Sequence, residues 1–293
     1  MPQLVVNGIS MHYETQGSGP PVALLHSLGS CSEDWFLQLP PLSRRYTVLT
    51  LDALGHGQTA KPPGPYTIRR MAGDVAALLE ALNVEPAHVV GLSMGGLIAQ
   101  VLAARYPQRV RSLVLVNTFA HLRPRSLHTW WYIFSRGATL LHKDLSAHAE
   151  VVAREMFPDP WQEPLRQVAF MRLCGNDPTG YRAALLATVR FDGRRDLARI
   201  AAPTLVIAGD QDTTVDLRAK EQLAAGIRDA RLVVVADSGH LTPIDQADVF
   251  NQMVLDFLSG EQGAGSREQG AGSREQGSKR PDGGGRSRRA RVW

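Results

Sequence analysis

Three residue types at telling positions open the question of chemistry. Ser93 stands in Gly91-Leu92-Ser93-Met94-Gly95, a G-x-S-x-G spacing with the run His88-Val89-Val90 before it and the helix-forming stretch "GLIAQVLAARY", closed by Pro107, after it. A serine on a sharp strand-to-helix bend is forced toward an unfavourable backbone region, and glycines two residues to either side remove the side chains that would collide there. Its hydroxyl then protrudes at the carboxyl edge of a sheet, where the following helix points N–H groups and the positive end of its dipole at any nearby oxyanion. A serine is a weak nucleophile without a base. Of the nine histidines, His240 in "VVVADSGHLTP" follows a buried-strand run at that edge, and it completes the chain order Ser, Asp, His. His26 and His56 also follow strand runs but precede the serine, while His121, His128, His142 and His148 read as surface or helix-packing residues.

The base needs an acid to hold its ring and stabilise its charged form. Past the run "PTLVIAG" stand Asp210, Asp212 and Asp216. Asp212 lies far enough beyond the strand to turn toward a neighbouring loop; Asp210 is expected to cap the strand exit and Asp216 to cap the next helix. An oxyanion needs two donors, here the backbone N–H of Met94 and that of Leu28 in the loop "LLHSLGS". The chemistry so assembled is acyl transfer through a covalent serine intermediate.

Such a constellation requires a frame that brings strand ends together. The runs "PVALLH", "YTVLTLD", "AHVVGLS", "RSLVLVN", "PTLVIAG" and "RLVVVAD" are unbroken enough to be strands buried on both faces of a parallel sheet. Helix-like segments separate them; "TIRRMAGDVAALLEALNV" carries Met71, Val75, Leu78, Leu79 and Leu82 at helical spacing, with Thr67 as N-cap. Asn7-Gly8 between two extended runs predicts an opening antiparallel hairpin. The fold class is therefore α/β, a doubly wound mostly parallel sheet with an N-terminal antiparallel hairpin. Roughly 85 residues separate the run ending near Asn117 from the one starting at Thr204, too many for one crossover. Residues 120–192 are read as an inserted helical lid on a core of residues 1–119 and 193–259. The lid's aromatics, Trp130, Trp131, Tyr132, Phe134, Phe157, Trp161, Phe170, Tyr181 and Phe191, individually read as packing between helices. Together they imply apolar walls over the site, and Trp130, Trp131 and Phe134 join His26 and Ser27 as candidate substrate contacts.

With 44% hydrophobic residues the body can bury a large core. Residues 260–293 repeat EQGAGSR without apolar periodicity and are expected to be disordered. Eight Lys/Arg against four acids in that tail account for the whole formal charge of +4, so the body is neutral and nucleic acid is not an expected partner. Cys31 and Cys174 have no metal or redox spacing, and no basic-then-apolar leader or ~18-residue apolar run occurs. A cytoplasmic monomer or homodimer, with no membrane partner, is the expectation.

The chain resembles an α/β-hydrolase over residues 1 to about 259. The motifs "LLHSLGS…W", "LDALGHGQT", "GLSMGG", "GDQD" and "SGH" carry the likeness in the expected order. Within that superfamily it is similar to the branch of 3-oxoadipate enol-lactonases and small carboxylesterases, on "SLGS", "DALGHGQTAKPPGPYTI", "VRSLVLVNT" and "GNDPTGYRAALLATVRFDGRRDL". The resemblance implies Ser93 as nucleophile, His240 as base, Asp212 as acid and Leu28 and Met94 as oxyanion donors, with no metal or cofactor. Two departures stand out: His26-Ser27 replaces the frequent His-Gly pair, so the Ser27 hydroxyl either bonds substrate or satisfies the loop, and "LHTWWYIF" is more aromatic than a polar dicarboxylic lactone calls for. Dehalogenases and epoxide hydrolases of this fold carry aspartate where Ser93 stands and are set aside. The expectation is an esterase or lactonase for a small-molecule substrate with small to medium apolar groups. The alternatives are an enol-lactonase proper, a carbon-carbon bond hydrolase, a perhydrolase, or a non-catalytic ligand sensor on the same frame.

Overall fold

The opening residues close on themselves first. In a computed structural model, which describes residues 2–84, 86–122, 144–260 and 291–292, β1 (Gln3–Val6) and β2 (Ile9–Gln16) pair antiparallel with Val6 opposite Ile9. Asn7 and Gly8 make the turn at φ of 49° and 78°, the left-handed values that a two-residue hairpin loop demands.

The six apolar runs all form strands: β3 (Pro21–Leu25), β4 (Thr47–Leu51), β5 (Ala87–Leu92), β6 (Val110–Val116), β7 (Thr204–Gly209) and β8 (Ala230–Val235). Together with the two-residue β9 (Arg291–Val292) they give the order β1-β2-β4-β3-β5-β6-β7-β8-β9. From β4 through β8 every neighbour is parallel; β1, β2 and β9 pair antiparallel at the edges. Period-two alternation sends successive side chains to opposite faces. Thus Leu113 and Leu115 enter one core layer beneath α2 (Ile68–Ala81) and α3 (Met94–Arg105), whereas Val114 and Val116 enter the other. That second layer is closed by Trp35, by Leu42 of α1 (Leu39–Leu42) and by Phe250, Val254 and Phe257 of the C-terminal helix Ala247–Leu258. Thr67 caps α2 as expected, its Oγ1 accepting the Arg70 N–H at 3.0 Å.

The insertion after β6 contributes α4 (Ser146–Met156), α5 (Glu163–Cys174) and α6 (Pro178–Val189). Its two ends meet: His121 and Asp192 form an antiparallel bridge, and the Gly193 N–H donates to the Ala120 carbonyl at 2.8 Å. Of the insertion's aromatics, Phe157, Tyr181 and Phe191 are buried, and Trp161 is exposed. Trp130, Trp131, Tyr132 and Phe134 fall in residues 123–143, outside the described residues, as do His128 and His142. Of the tail read as disordered, only Gly260 and β9 are described. No helix among the described residues is long and apolar enough to cross a membrane.

Beyond the lid, α7 (Leu217–Gly226) connects β7 to β8, and α8 (Thr242–Asp245) and α9 (Ala247–Leu258) follow β8. All of the chemistry-bearing loops therefore leave the carboxyl ends of β3, β5, β7 and β8, where an open parallel sheet places its ligands.

Candidate active site

Ser93 links β5 to α3 with φ 51° and ψ −113°, a conformation that costs a non-glycine residue on the order of 1–3 kcal/mol. Neighbouring atoms over-determine it. The Ser93 N–H donates to the Val116 carbonyl at 2.9 Å and Thr118 Oγ1 donates to the Ser93 carbonyl at 2.8 Å. A Cβ on Gly91 would collide with the Gly95 carbonyl, and one on Gly95 with the Leu25 carbonyl, so both glycines of the pentapeptide are required by close approach of backbone. Met94 is the first residue of α3, and its N–H is one of those a helix leaves without an internal partner.

The side chain of Asp212, two residues after the Gly209-Asp210 strand exit, is fully buried, and both of its carboxylate oxygens lie 3.0 Å from His240 Nδ1. This contact distinguishes it from its neighbours. Asp210 Oδ1 accepts the Ser238 N–H at 3.2 Å, and Asp216 Oδ1 accepts the Ala219 N–H at 2.7 Å as the N-cap of α7. The Asp212 carboxylate is further fixed by the Thr214 and Val215 N–H groups at 2.9 and 3.1 Å. Burial alone would raise its pKa; the charge of His240, the bond to it and the buried Lys220 ammonium outweigh that and hold it well below the usual carboxylate range. Asp212 is thus ionised, and with Nδ1 of His240 committed as donor to it, Nε2 is the nitrogen free to take a proton.

Two residues of this site escaped sequence reasoning. Asn117, at the end of β6 with φ 44°, is fully buried and ties three strand ends together. Its Nδ2 reaches the carbonyls of Gly239 and His240 at 3.1 and 2.8 Å and Thr242 Oγ1 at 2.8 Å, while its Oδ1 accepts the Gly209 N–H at 2.8 Å. Because Val116 and Thr118 on either side of it bond Ser93, this one side chain registers the serine, acid and histidine loops against one another. A polar residue ending an otherwise apolar strand run was the available signal. We expect Asn117→Ala to leave several buried groups unsatisfied, lowering unfolding free energy by about 2–4 kcal/mol and any turnover at this site by roughly 10- to 100-fold. Urea denaturation and steady-state kinetics on the same preparation check both numbers. The second residue is Lys220 of α7, whose Nζ lies 2.7 Å from Asp212 Oδ2 with neither side chain exposed. Lys220 and Leu223, one turn apart, share the buried face of α7, which the sequence offered as the only hint that the lysine points inward.

A cavity of about 160 Å³ opens beside these groups, lined by the loop His26–Ser30, by Leu92 next to Ser93, by Leu241 next to His240 and by Phe157, Leu165 and Leu173 of the lid side. His26 and Ser27 line it, and Leu28 does so from the loop predicted to supply the second donor. Both ring nitrogens of His26 are engaged by the loop itself: Nδ1 donates to the Ser27 carbonyl at 2.7 Å and Nε2 accepts the Ala53 N–H at 2.9 Å. Burial pushes its pKa below the ordinary histidine value, so the ring is neutral and serves as a fixed wall. Among the described lining residues the one cation is Arg172, and it is spent on Glu33 at 2.8 Å and Asp34 at 3.1 Å. His148, read as a packing residue, bonds Tyr181 Oη at 2.9 Å inside the lid.

Comparison with known proteins places this geometry in context. Residues 20–247 match a family model described as alpha/beta hydrolase fold. The chain is similar to a candidate carbamate hydrolase, RutD, of Azorhizobium caulinodans, with 33% identity over 88% of this chain and 98% of that protein. Among solved structures it is similar to a hydrolase from Pseudomonas aeruginosa PA01 (38% identity, TM-score 0.80, 88% of this chain and 97% of that one). It is also similar to the enol-lactonase from Burkholderia xenovorans LB400 (33% identity, TM-score 0.81, 88% of this chain and 100% of that one).

Proposed function

The chain belongs to the α/β-hydrolase family, and from that premise we propose that it hydrolyses carboxylic esters and lactones bearing small to medium apolar groups, through an acyl-enzyme on Ser93. The observation that carries this reading is the buried Asp212–His240 contact at 3.0 Å on the same sheet edge that holds Ser93 in its strained bend. Ser93 Oγ attacks the substrate carbonyl carbon as His240 Nε2 takes the hydroxyl proton, and the negative charge moves to the carbonyl oxygen. The N–H groups of Met94 and Leu28 hold that oxyanion. His240 then gives the proton to the departing alkoxide, leaving an ester on Ser93. Water repeats the sequence, with His240 removing its proton and returning it to Ser93 as the acid is released. Asp212 stabilises the imidazolium in both halves.

The cavity supports the substrate class. Its walls are apolar, from Leu92, Phe157, Leu165, Leu173, Leu241 and Ile244, and suit small to medium apolar groups. A second carboxylate in the substrate would meet Arg172 already paired twice. That argues against a dicarboxylic lactone, although one similar structure is an enol-lactonase.

The test is a panel run with the full chain: p-nitrophenyl esters from acetate to dodecanoate, γ- and δ-lactones, an aryl carbamate, a vinylogous diketone, and acetate with peroxide. kcat/KM is expected to peak at butyrate to hexanoate esters and to fall by at least roughly tenfold at dodecanoate, as each poorly seated methylene costs about 1 kcal/mol or more. Turnover confined to the carbamate, the diketone or the peroxide reaction would replace this reading with that activity.

A further inference from the structure

We propose that Lys220 sets the pH range of the reaction by sharing the Asp212 carboxylate with His240, as a positioning residue that does not itself touch substrate. This rests on the function proposed above. The geometry is specific: Asp212 Oδ2 lies 2.7 Å from Lys220 Nζ and 3.0 Å from His240 Nδ1, with Oδ1 also 3.0 Å from Nδ1, so one carboxylate serves both groups. Lys220 Nζ is also within 3.5 Å of the Gly209 carbonyl, and its side chain is fully buried.

A buried ammonium carries a large desolvation penalty that its ion pair does not reliably recover, and an apolar residue of similar volume at such a place is often neutral or stabilising. The buried face of α7 that Lys220 shares with Leu223 could accept one. The lysine is therefore not explained by stability, and its one charged contact is the acid that faces His240. Asp212 favours the charged imidazole by its own charge; an ammonium on the same oxygen offsets most of that charge and disfavours the imidazolium. The consequence is a rate that persists to a lower pH than an unshared carboxylate would permit.

Other charges face this group. Asp245 of α8 accepts the Gly239 N–H at 2.9 Å, and burial pushes its carboxyl up to about 6. Asp216 stands at the N-terminus of α7 and Asp210 accepts from the Ser238 N–H. Because Asp245 ionises within the range of interest, the decisive comparison is made both in the native background and with Asp245→Asn.

The experiment is the acidic limb of kcat/KM against pH for p-nitrophenyl butyrate, with each preparation normalised to competent sites by titration with a fluorophosphonate. Lys220→Met and Lys220→Gln remove the charge, the second keeping a donor to Asp212. Both are expected to move the midpoint of the acidic limb upward by about one pH unit, with the pH 8 plateau kept within about tenfold. Lys220→Arg retains the charge and is expected to keep the native limb. A limb that stays in place while the plateau falls in Lys220→Met and Lys220→Gln would show a merely structural lysine and overturn the proposal. Should neither neutral variant fold, a displaced limb in Lys220→Arg overturns it equally. The two proposals fail separately: a native chain with no ester turnover and no titratable serine defeats the function, whereas an active native chain with an unmoved limb in the variants defeats the role of Lys220 alone.

Discussion

Ser93→Ala should lower kcat/KM for p-nitrophenyl butyrate by roughly 10⁴- to 10⁶-fold, leaving only the rate that binding and the oxyanion donors provide, because a nucleophile, base and acid act as one unit. The fold should survive. Alanine keeps the Cβ and the φ of 51°, and the bonds from Ser93 N–H to Val116 and from Thr118 to the Ser93 carbonyl are made by backbone atoms that the change leaves in place. Unfolding free energy is expected within about 1 kcal/mol of native. Ser93→Gly should go further and gain stability by relieving the strain at this bend, by about 1 kcal/mol, with activity equally lost. A stability gain on removing the reactive side chain is the signature of a residue kept in place for its chemistry. Near-native turnover by Ser93→Ala would instead move the nucleophile elsewhere.

Asp212→Asn should do damage twice over. The amide can no longer hold His240 as donor through Nδ1 and stabilise its cation, which costs on the order of 10⁴ in kcat in triads of this type. It also strips the fully buried Lys220 of the carboxylate 2.7 Å away. Breaking a buried pair by removing one partner leaves an uncompensated charge, at about 3–5 kcal/mol. The two losses are separable. Adding Lys220→Met to Asp212→Asn removes the orphaned ammonium and should restore most of the stability in urea denaturation, while hydrolysis remains at the single-variant level. If the double variant stays as unstable as Asp212→Asn, the Lys220–Asp212 pair is not what the substitution exposes.

How far the amino-acid order alone reaches is instructive at particular residues. The six Val/Leu/Ile runs became β3 to β8 because a strand buried on both faces leaves little choice of residue type, and the Asn7-Gly8 turn was legible because few residues tolerate positive φ in succession. The bend at Ser93 was legible for a related reason: Gly91 and Gly95 are demanded by backbone contact, which glycine alone permits. Asp212 is separated from Asp210 and Asp216 by its distance past the strand, and it is the one of the three that lies 3.0 Å from His240. Asn117 and Lys220 were not legible because their importance comes from partners more than 90 and 8 positions away respectively, through contacts with no sequence periodicity. A lysine in "DLRAKEQLAAG" reads as a solvated helix residue until the sheet beneath it is known. The lid aromatics Trp130, Trp131 and Phe134 remain proposals as substrate contacts.

One measurement bears most directly on the claim that an alcohol, an imidazole and a carboxylate work together at this sheet edge. A fluorophosphonate forms a stable ester only with a serine activated by its own base, so intact-mass and peptide mapping after labelling report both stoichiometry and address. We predict one adduct per chain, located on Ser93, abolished in His240→Ala and accompanied by complete loss of ester hydrolysis. A protein that hydrolyses esters yet takes no label, or takes it at another serine, would contradict the account.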